Sequence, residues 1–95
     1  MLNTKQRAYL RSLAQTMQPI FQVGKNGVTD TLIEDLKNAL EARELIKINL
    51  LNTLPDDKET IAKEIEERTD SQIVQIVGNK LTLYKKSVNN PKIEV

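Results

Sequence analysis

The 95-residue sequence contains neither cysteine nor histidine. Their absence excludes disulfide bonds, a thiolate nucleophile, a histidine base and zinc sites of the usual Cys/His kind. Aromatic residues are also scarce, and three are too few for a nucleic-acid surface built mainly on base stacking. What remains for an enzyme is carboxylate pairs, lysine or carboxylate-bound magnesium, and no arrangement of these residues predicts a catalytic centre. We therefore expect a non-enzymatic protein without a metal ion or other cofactor.

Long hydrophobic runs are missing as well. No stretch approaches the roughly 18 consecutive apolar residues of a transmembrane helix, and the N-terminal residues lack the apolar segment of a secretory signal. This pattern predicts a soluble, cytoplasmic protein with no membrane partner. A single domain of this length buries only about 60 to 65% of the surface of its unfolded chain. We therefore expect a functional surface rather than a deep cavity for a small-molecule substrate, and nothing in the sequence demands more than a monomer.

The formal net charge of +1 conceals segments of opposite sign. Residues 1–29 contain four basic side chains and no acidic one, whereas residues 30–44 and 56–70 are acidic and residues 71–95 are basic again. The two basic parts form one positive face if the fold brings them together. A net charge near zero is therefore compatible with a polyanionic partner.

Hydrophobic periodicity changes along the chain between helical spacing and the two-residue spacing of strands. Apolar residues recur at helical spacing in the first segment until Pro19 blocks continuation. In contrast, Ile46, Ile48 and Leu50 alternate with polar residues, as in a half-buried strand. The predicted elements, in the order α-β-α-β-α-β-β, cover residues 4–16, 20–23, 30–44, 46–50, 56–68, 73–77 and 81–84.

This order predicts an α/β domain of the two-layer α+β kind. Each strand-helix-strand unit joins two parallel strands by a crossover, whereas the last two strands form an antiparallel hairpin around a Gly-Asn turn. The result is a four-stranded mixed sheet with the helices packed on it. On this interpretation residues 1–86 form a single domain, and residues 87–95 form a polar C-terminal tail.

A glycine-rich loop, Gly24-Lys25-Asn26-Gly27, joins the first strand to the second helix. At such a junction, backbone N–H groups and the helix dipole favour an anion. Two glycines permit positive φ angles and close approach of a phosphate, and Lys25 adds a mobile positive charge. The loop lacks the spacing of a Walker loop or of the dinucleotide-binding fingerprint, and it suits a phosphodiester. The simpler interpretation is that it only connects two elements.

Other charged groups have structural as well as functional interpretations. Arg7 and Arg11 lie on one stripe at the edge of the apolar face of the first helix, where they either contact a polyanion or form a solvated flank. Asp56 and Asp57 are placed to cap the third helix. The acidic residues of that helix form a solvated face, with contact to a protein partner as the alternative.

Four stretches, in this order along the chain, resemble a known family. They are residues 2–14 (LNTKQRAYLRSLA), 22–29 (QVGKNGVT), 39–48 (ALEARELIKI) and 75–85 (QIVGNKLTLYK). On these motifs the chain resembles the bacterial YhbY-type proteins, which are stand-alone members of the CRM (chloroplast RNA splicing and ribosome maturation) family. The resemblance covers about residues 2–86, which is nearly the whole chain.

The resemblance implies an RNA-binding domain similar in fold to the C-terminal domain of translation initiation factor three. The family's Gly-x-x-Gly loop falls on Gly24, Lys25, Asn26 and Gly27, which implies RNA contact at these positions. Bacterial members are associated with precursors of the large ribosomal subunit. This association implies an assembly role on ribosomal RNA.

We therefore expect a protein that docks on structured ribosomal RNA, with the loop holding phosphates. A protein-interaction adaptor that acts through the acidic third helix is the alternative from another class, and an enzyme is disfavoured because histidine and cysteine are missing. The basic residues expected to extend or support the phosphate contact are Lys5, Arg7, Arg11, Lys47, Lys80 and Lys85.

Overall fold

The computed structural model describes residues 2–95 and has the predicted order of elements. The boundaries agree with the predicted ones to within two residues. Within residues 2–95, none of the helices combines the length and apolar character that crossing a membrane requires. The elements are α1 (Thr4–Ala14), β1 (Phe21–Val23), α2 (Asp30–Arg43), β2 (Leu45–Leu50), α3 (Lys58–Thr69), β3 (Gln72–Val77) and β4 (Lys80–Tyr84).

Local hydrogen bonds determine where α1 and α2 begin. The side chain of Asn3 accepts from the backbone N–H of Gln6 (2.8 Å), and the side chain of Gln6 accepts from the N–H of Asn3 (3.0 Å), which forms a capping box. At α2, Thr29 Oγ1 accepts from the backbone N–H of Leu32 (3.1 Å). These side chains satisfy N–H groups that have no partner inside the helix, so short sequence motifs suffice to start both helices.

The four strands form one mixed sheet in the order β1-β2-β4-β3. β1 and β2 are parallel, with Phe21 opposite Ile48 and Val23 opposite Leu50. β4 runs antiparallel to both β2 and β3, and Gly78 makes the turn before it with a φ of 59°. The hairpin thus inserts β4 between two strands that run parallel to each other. The predicted four-stranded mixed sheet is confirmed.

The two faces of the sheet bury different side chains. Because side chains alternate along a strand, Ile46 and Ile48 point to one face, where they form the main core with residues of α2 and α3. Leu45 and its cross-strand partner Tyr84 point to the other face and pack against Leu10 of α1. The sequence predicts two layers, the sheet and the helices on it. Because α1 packs on the face opposite α2 and α3, the domain has three layers in the part of the sheet that α1 covers. Periodicity identifies the apolar side of a helix but not the sheet face that it covers.

Residues 87–95, which the sequence predicts as a polar tail, contain no helix or strand but lie against the domain. Glu44, just after α2, is fully buried. Its carboxylate accepts hydrogen bonds from the backbone N–H groups of Ser87 (2.8 Å), Lys92 (2.5 Å) and Ile93 (2.6 Å). The side chain of Ile93 packs against the same small core as α1. The segment is thus attached to the domain by a buried carboxylate and an apolar contact.

A second carboxylate holds the beginning of this segment. Glu41 accepts from the N–H groups of Val88 and Asn89 (2.9 Å each) and from the hydroxyl of Ser87 (2.8 Å). These donors hold the pKa of Glu41 below its usual value, and the bond from Val88 contributes most. Burial acts to raise the pKa of Glu44, but its three backbone donors outweigh burial, so this pKa also lies below its usual value. Both carboxylates therefore bind the segment in their charged form.

Replacing Glu44 by Gln is expected to lower the free energy of unfolding by about 1–3 kcal/mol, because an amide N–H₂ would face backbone donors. A carboxyl whose pKa is lowered by folding contributes stability above its unfolded pKa, near 4.5, and loses that contribution as the pH falls through the folded pKa. The wild-type protein should thus lose stability below about pH 4.5 more steeply than Glu44→Gln. Thermal unfolding as a function of pH measures both effects.

The matched control is Glu34→Gln, which changes an exposed carboxylate on α2, the helix that Glu44 follows. Its stability and pH dependence should follow those of the wild type. If Glu44→Gln and Glu34→Gln behave alike, the buried carboxylate does not hold the C-terminal segment.

Candidate nucleic-acid interface

The Gly24–Gly27 loop follows β1 and leads into α2. The N–H of Gly27 donates to the carbonyl oxygen of Gly24 (2.9 Å), which closes a four-residue turn with Lys25 and Asn26 exposed at its tip. Gly27 has a φ of 64°, in the left-handed region that favours glycine. The loop therefore presents a mobile ammonium group on a turn of defined shape.

Both glycines also pack tightly against the segment that follows β2. A Cβ atom at Gly24 would lie 3.1 Å from Thr53 Oγ1 and 3.3 Å from Leu51 Cδ1. At Gly27 it would lie 3.1 Å from Pro55 Cγ. From the sequence alone, the expected reason for these glycines is that they let a phosphate approach the backbone closely. The structure adds a second reason, which is that the loop fits tightly onto the rest of the domain.

The turn between β3 and β4 lies at the same end of the sheet as the loop. Val23, directly before the loop, pairs with Leu50 at the end of β2. The N–H of Leu50 in turn donates to the carbonyl oxygen of Asn79 (2.7 Å). The fold thus brings Lys80, at the start of β4, to the end of the sheet that carries Lys25.

Two lysines near this turn are held by hydrogen bonds. Lys80 Nζ donates to Asn49 Oδ1 (3.1 Å) and Asn79 Oδ1 (3.4 Å). Lys58 Nζ donates to the carbonyl oxygen of Gly78 (2.8 Å). Sequence reasoning missed Lys58 as a neighbour of the site because it lies in an acidic segment. Only the tertiary structure shows that the start of α3 reaches the turn.

The sheet face that carries Lys47 and Lys80 is covered by α1 at one end only, and we call the uncovered end the open half. Paired residues cross the strands there in two rows. None of the four strands contains an aspartate or glutamate. The open half is therefore free of acidic side chains from the sheet itself. Its rows are Gln22, Asn49, Lys80 and Val77, and then Lys47, Thr82 and Gln75, with Ile20 beside Lys47.

Arg7 is engaged within the fold rather than free in solvent. Its Nη1 donates to the carbonyl oxygens of Ile73 and Val74 (3.2 Å to Val74). The pairing register of β3 and β4 shifts between Ile73 and Gln75, so Arg7 satisfies carbonyls at an irregularity of an edge strand. The sequence predicts a long cation at the border of the core, but the partner carbonyls are 66 and 67 residues away along the chain. Arg7 therefore attaches α1 to β3.

Arg11 lies one turn after Arg7 on the same flank of α1 and is exposed. Gln6 lies on the other flank and lines a cavity with residues 91–95. Because Leu10 between these flanks points into the core, the flank with Arg11 faces the open half. The guanidinium group of Arg11 thus borders the surface that carries Lys47.

Lys5 and Lys85 lie at the opposite end of the sheet. The N–H of Leu2, at the start of the α1 region, donates to Gln72 Oε1 (2.8 Å), which places Lys5 near the beginning of β3. Lys85 follows β4, and its N–H donates to the carbonyl oxygen of Glu44 (2.9 Å). Five residues of strand, roughly 17 Å, separate Lys85 from Lys80. These two lysines are therefore not brought to the loop.

These features define the class of domain: a small α+β domain in which a sheet face without acidic strand residues lies beside a Gly-x-x-Gly loop. Comparison with known families identifies it further. The chain belongs to the CRS1 / YhbY (CRM) domain family, which matches residues 2–85. The family resemblance predicted from the four sequence motifs is confirmed.

Several relatives match over most or all of the chain. It is 47% identical over 95 residues to "Probable RNA-binding protein YqeI" of Bacillus subtilis (strain 168), covering 100% of this chain and 99% of that protein. It is 35% identical over 86 residues to an "RNA-binding protein" of Haemophilus influenzae, covering 90% and 87%. The solution structure of the Staphylococcus aureus protein SAV1595 is similar, with a TM-score of 0.83 and 43% identity over 100% of this chain and 99% of that one.

Replacing Arg7 by Met is expected to lower the free energy of unfolding by about 1–3 kcal/mol, because two backbone carbonyls lose a charged donor. The matched change Arg11→Met removes an exposed guanidinium from the same flank and should cost less than about 0.5 kcal/mol. Urea denaturation of both variants measures the difference. Equal stabilities would show that Arg7 does not attach α1 to β3.

Replacing Gly27 by Ala is expected to cost about 1–2 kcal/mol, because an L residue is strained at this positive φ. The added Cβ would also crowd Pro55. Asn26→Ala, at the exposed tip of the same loop, is the control and should leave the melting temperature nearly unchanged. A Gly27→Ala variant as stable as the wild type would contradict the described loop conformation.

Proposed function

We propose that this protein is a non-enzymatic RNA-binding protein that docks on ribosomal RNA in precursors of the large ribosomal subunit. The observation that carries the proposal is the position of the Gly24–Gly27 loop. Its exposed Lys25 lies at the same end of the sheet as Lys80, beside a face whose strands contain no acidic residue. Membership of the CRM family and the names of its bacterial relatives support RNA as the ligand.

The loop holds a phosphodiester in this proposal. Lys25 supplies the positive charge, and backbone N–H groups at a strand-to-helix junction supply donors for the phosphate oxygens. Because both glycines are packed against residues 51–55, the turn is formed before RNA arrives, and binding does not have to order it. Contacts of this kind position the RNA without reading its sequence.

The geometry favours a smaller set of basic residues than the sequence predicts. Lys85 lies about 17 Å from Lys80 along β4, which exceeds the screening length of about 8–10 Å at physiological salt. Lys5 lies at the same distant end of the sheet. The guanidinium group of Arg7 already donates hydrogen bonds to backbone carbonyl oxygens. The proposed contact residues are Gly24, Lys25, Asn26, Gly27, Arg11, Lys47 and Lys80.

The ribosomal target rests on the resemblance to the bacterial YhbY-type proteins. In this proposal the protein acts as a monomer in the cytoplasm and binds precursor particles while their RNA is still accessible. A net charge of only +1 gives little long-range attraction to RNA in general. Binding then depends on the local positive surface, which favours a defined docking site over indiscriminate coating of RNA.

The acidic α3 supports a protein-adaptor function less well than the loop supports RNA binding. Arg68 pairs with Asp30 (2.5 Å) and with Glu64 (3.5 Å). Glu66 accepts a hydrogen bond from the N–H of Ile73 (2.7 Å). Part of the charge of this helix is therefore used inside the domain rather than presented to a partner.

Lys25→Glu is expected to weaken RNA binding by about tenfold or more, because it replaces a charge-assisted phosphate contact with repulsion. The slope of log affinity against log salt should become shallower by about one. Lys63→Glu changes the net charge equally but lies exposed on α3, and should bind within about twofold of the wild type. Fluorescence anisotropy with a ribosomal RNA fragment at several salt concentrations measures these quantities.

Equal affinity of Lys25→Glu and Lys63→Glu, with both proteins folded, would refute the loop as the phosphate site. The ribosomal target needs a separate experiment, which is crosslinking in cells followed by sequencing of the attached RNA. We expect crosslinks concentrated in large-subunit ribosomal RNA. Crosslinks mainly to other transcripts would refute this part of the proposal and leave RNA binding intact.

A further inference from the structure

The open half of the sheet is a second surface beside the loop that phosphate binding alone does not explain. On the opposite face, α2 and α3 cover the strands, whereas here α1 covers only the end that carries Leu45 and Tyr84. At the uncovered end Val77 is 59% exposed and Ile20 is 38% exposed. An apolar side chain therefore borders the open half on each of its two sides.

Amide side chains make up much of the polar part of this surface. Gln22 and Asn49 are cross-strand partners on β1 and β2. Gln75 lies on the same face, on the edge strand β3, opposite Thr82. Asn49 uses its Oδ1 for Lys80, which leaves its N–H₂ group to donate. An amide donates and accepts in one plane, which matches the hydrogen-bonding edge of an unpaired base. The surface can therefore make contacts that a purely cationic surface cannot.

A buried polar atom lies in the same rows. Thr82 is 1% exposed, and its Oγ1 has no hydrogen-bond partner among the residues that the structure describes. Its two cross-strand neighbours are Lys47 and Gln75, both half-buried. The hydroxyl therefore lies between two long polar side chains on the same face of the sheet. The middle of the open half has hydrogen-bonding capacity that the domain itself does not use.

The charges on the two sides of the loop determine the direction in which a bound polyanion continues. On the helical side, Pro55 packs against Gly27 and is followed directly by the exposed Asp56 and Asp57. On the sheet side, Lys47 and Lys80 lie on a face whose strands carry no acid. A phosphate chain held at the loop is therefore repelled by the carboxylates of Asp56 and Asp57 and attracted by the lysines of the open half.

We propose that the open half binds the bases of the unpaired nucleotides adjoining the phosphate that the loop holds. This inference rests on the proposed function, because the loop supplies the anchor. The amides contact base edges, and the two lysines hold the adjoining phosphates. The residues that carry these contacts are Gln22, Asn49, Gln75, Lys47 and Lys80.

Aromatic stacking does not contribute to this contact. Phe21 packs with the core on the opposite face, and Tyr84 lies under α1. Tyr9 lies on the flank of α1 that carries Gln6, away from the open half. Recognition therefore depends on hydrogen bonds to base edges. Such edges are exposed in single-stranded RNA, whereas the narrow, deep major groove of an A-form duplex withholds them, so the protein should prefer RNA with unpaired nucleotides over a blunt duplex.

The test compares two double variants that each convert two neutral amides into carboxylates of the same size. Gln22→Glu/Gln75→Glu places both charges in the open half. Asn38→Asp/Asn90→Asp is the matched control, with exposed positions on α2 and in the C-terminal segment. The probes are a labelled RNA hairpin with a short unpaired extension and the same hairpin without it. We expect the first variant to lose about tenfold or more in affinity for the extended hairpin, and the control to lose less than about threefold.

The outcomes separate this inference from the proposed function. If both double variants bind the extended hairpin equally while Lys25→Glu binds it weakly, the base-binding surface is refuted and the loop site stands. If Lys25→Glu also binds normally, both are refuted. An equal loss for the first variant on the two hairpins would show general charge repulsion and would overturn base contact.

A second measurement on the wild-type protein does not depend on how the variants fold. The side-chain N–H₂ resonances of Gln22, Asn49 and Gln75 can be followed by NMR during titration with each hairpin. We expect them to shift with the extended hairpin and to stay unchanged with the blunt one. Unchanged side-chain resonances together with a shifting Lys25 backbone amide would overturn the inference.

Discussion

A helix is about 10 Å across, whereas the six-residue strands β2 and β3 are about 20 Å long, so α1 covers only half of the sheet face on which it packs. The side chains of β2 on this face change from apolar to polar where the cover by α1 ends. Leu45 lies under the helix and is buried, while Lys47 and Asn49, on the same face, are half-buried and polar. The open half of the candidate interface depends on this incomplete cover. A longer or second helix on this face would turn the open half into core.

Separation of charge completes the surface. The four strands carry no acid, and the acidic residues other than Glu94 lie on α2, on α3 and in the segments next to these helices. Several of these carboxylates serve the fold: Glu41 and Glu44 bind the C-terminal segment, and Glu66 binds the start of β3. A domain with a net charge of +1 can therefore present one sheet face whose strands carry lysines and no acidic side chain. The distribution of charge over the fold matters more for a polyanionic ligand than its sum.

Much of the fold and part of the candidate site could be predicted because the signals are local. Apolar spacing, Pro19 and the capping residues Asn3 and Thr29 specify where elements begin and end. The loop could be predicted because two glycines at a strand-to-helix junction favour a tight turn whose backbone N–H groups can face an anion. The contacts of Arg7 and Lys58 could not be predicted, because both side chains donate to carbonyl oxygens of residues that are 20 or more positions away in the chain. Long-range hydrogen bonds of this kind leave no pattern in the residues that flank them.

The sequence by itself determined the elements, their order, the mixed sheet and the glycine loop, because each follows from periodicity or from backbone preferences of neighbouring residues. Only the tertiary structure decided which sheet face α1 covers, which lysines lie at the same end of the sheet as Lys25, and that residues 87–95 attach to the domain. The physical reason is that these outcomes depend on packing between segments that are distant in the chain. An exposed lysine and a half-buried one have the same sequence signal, and the sheet around them determines what each can contact.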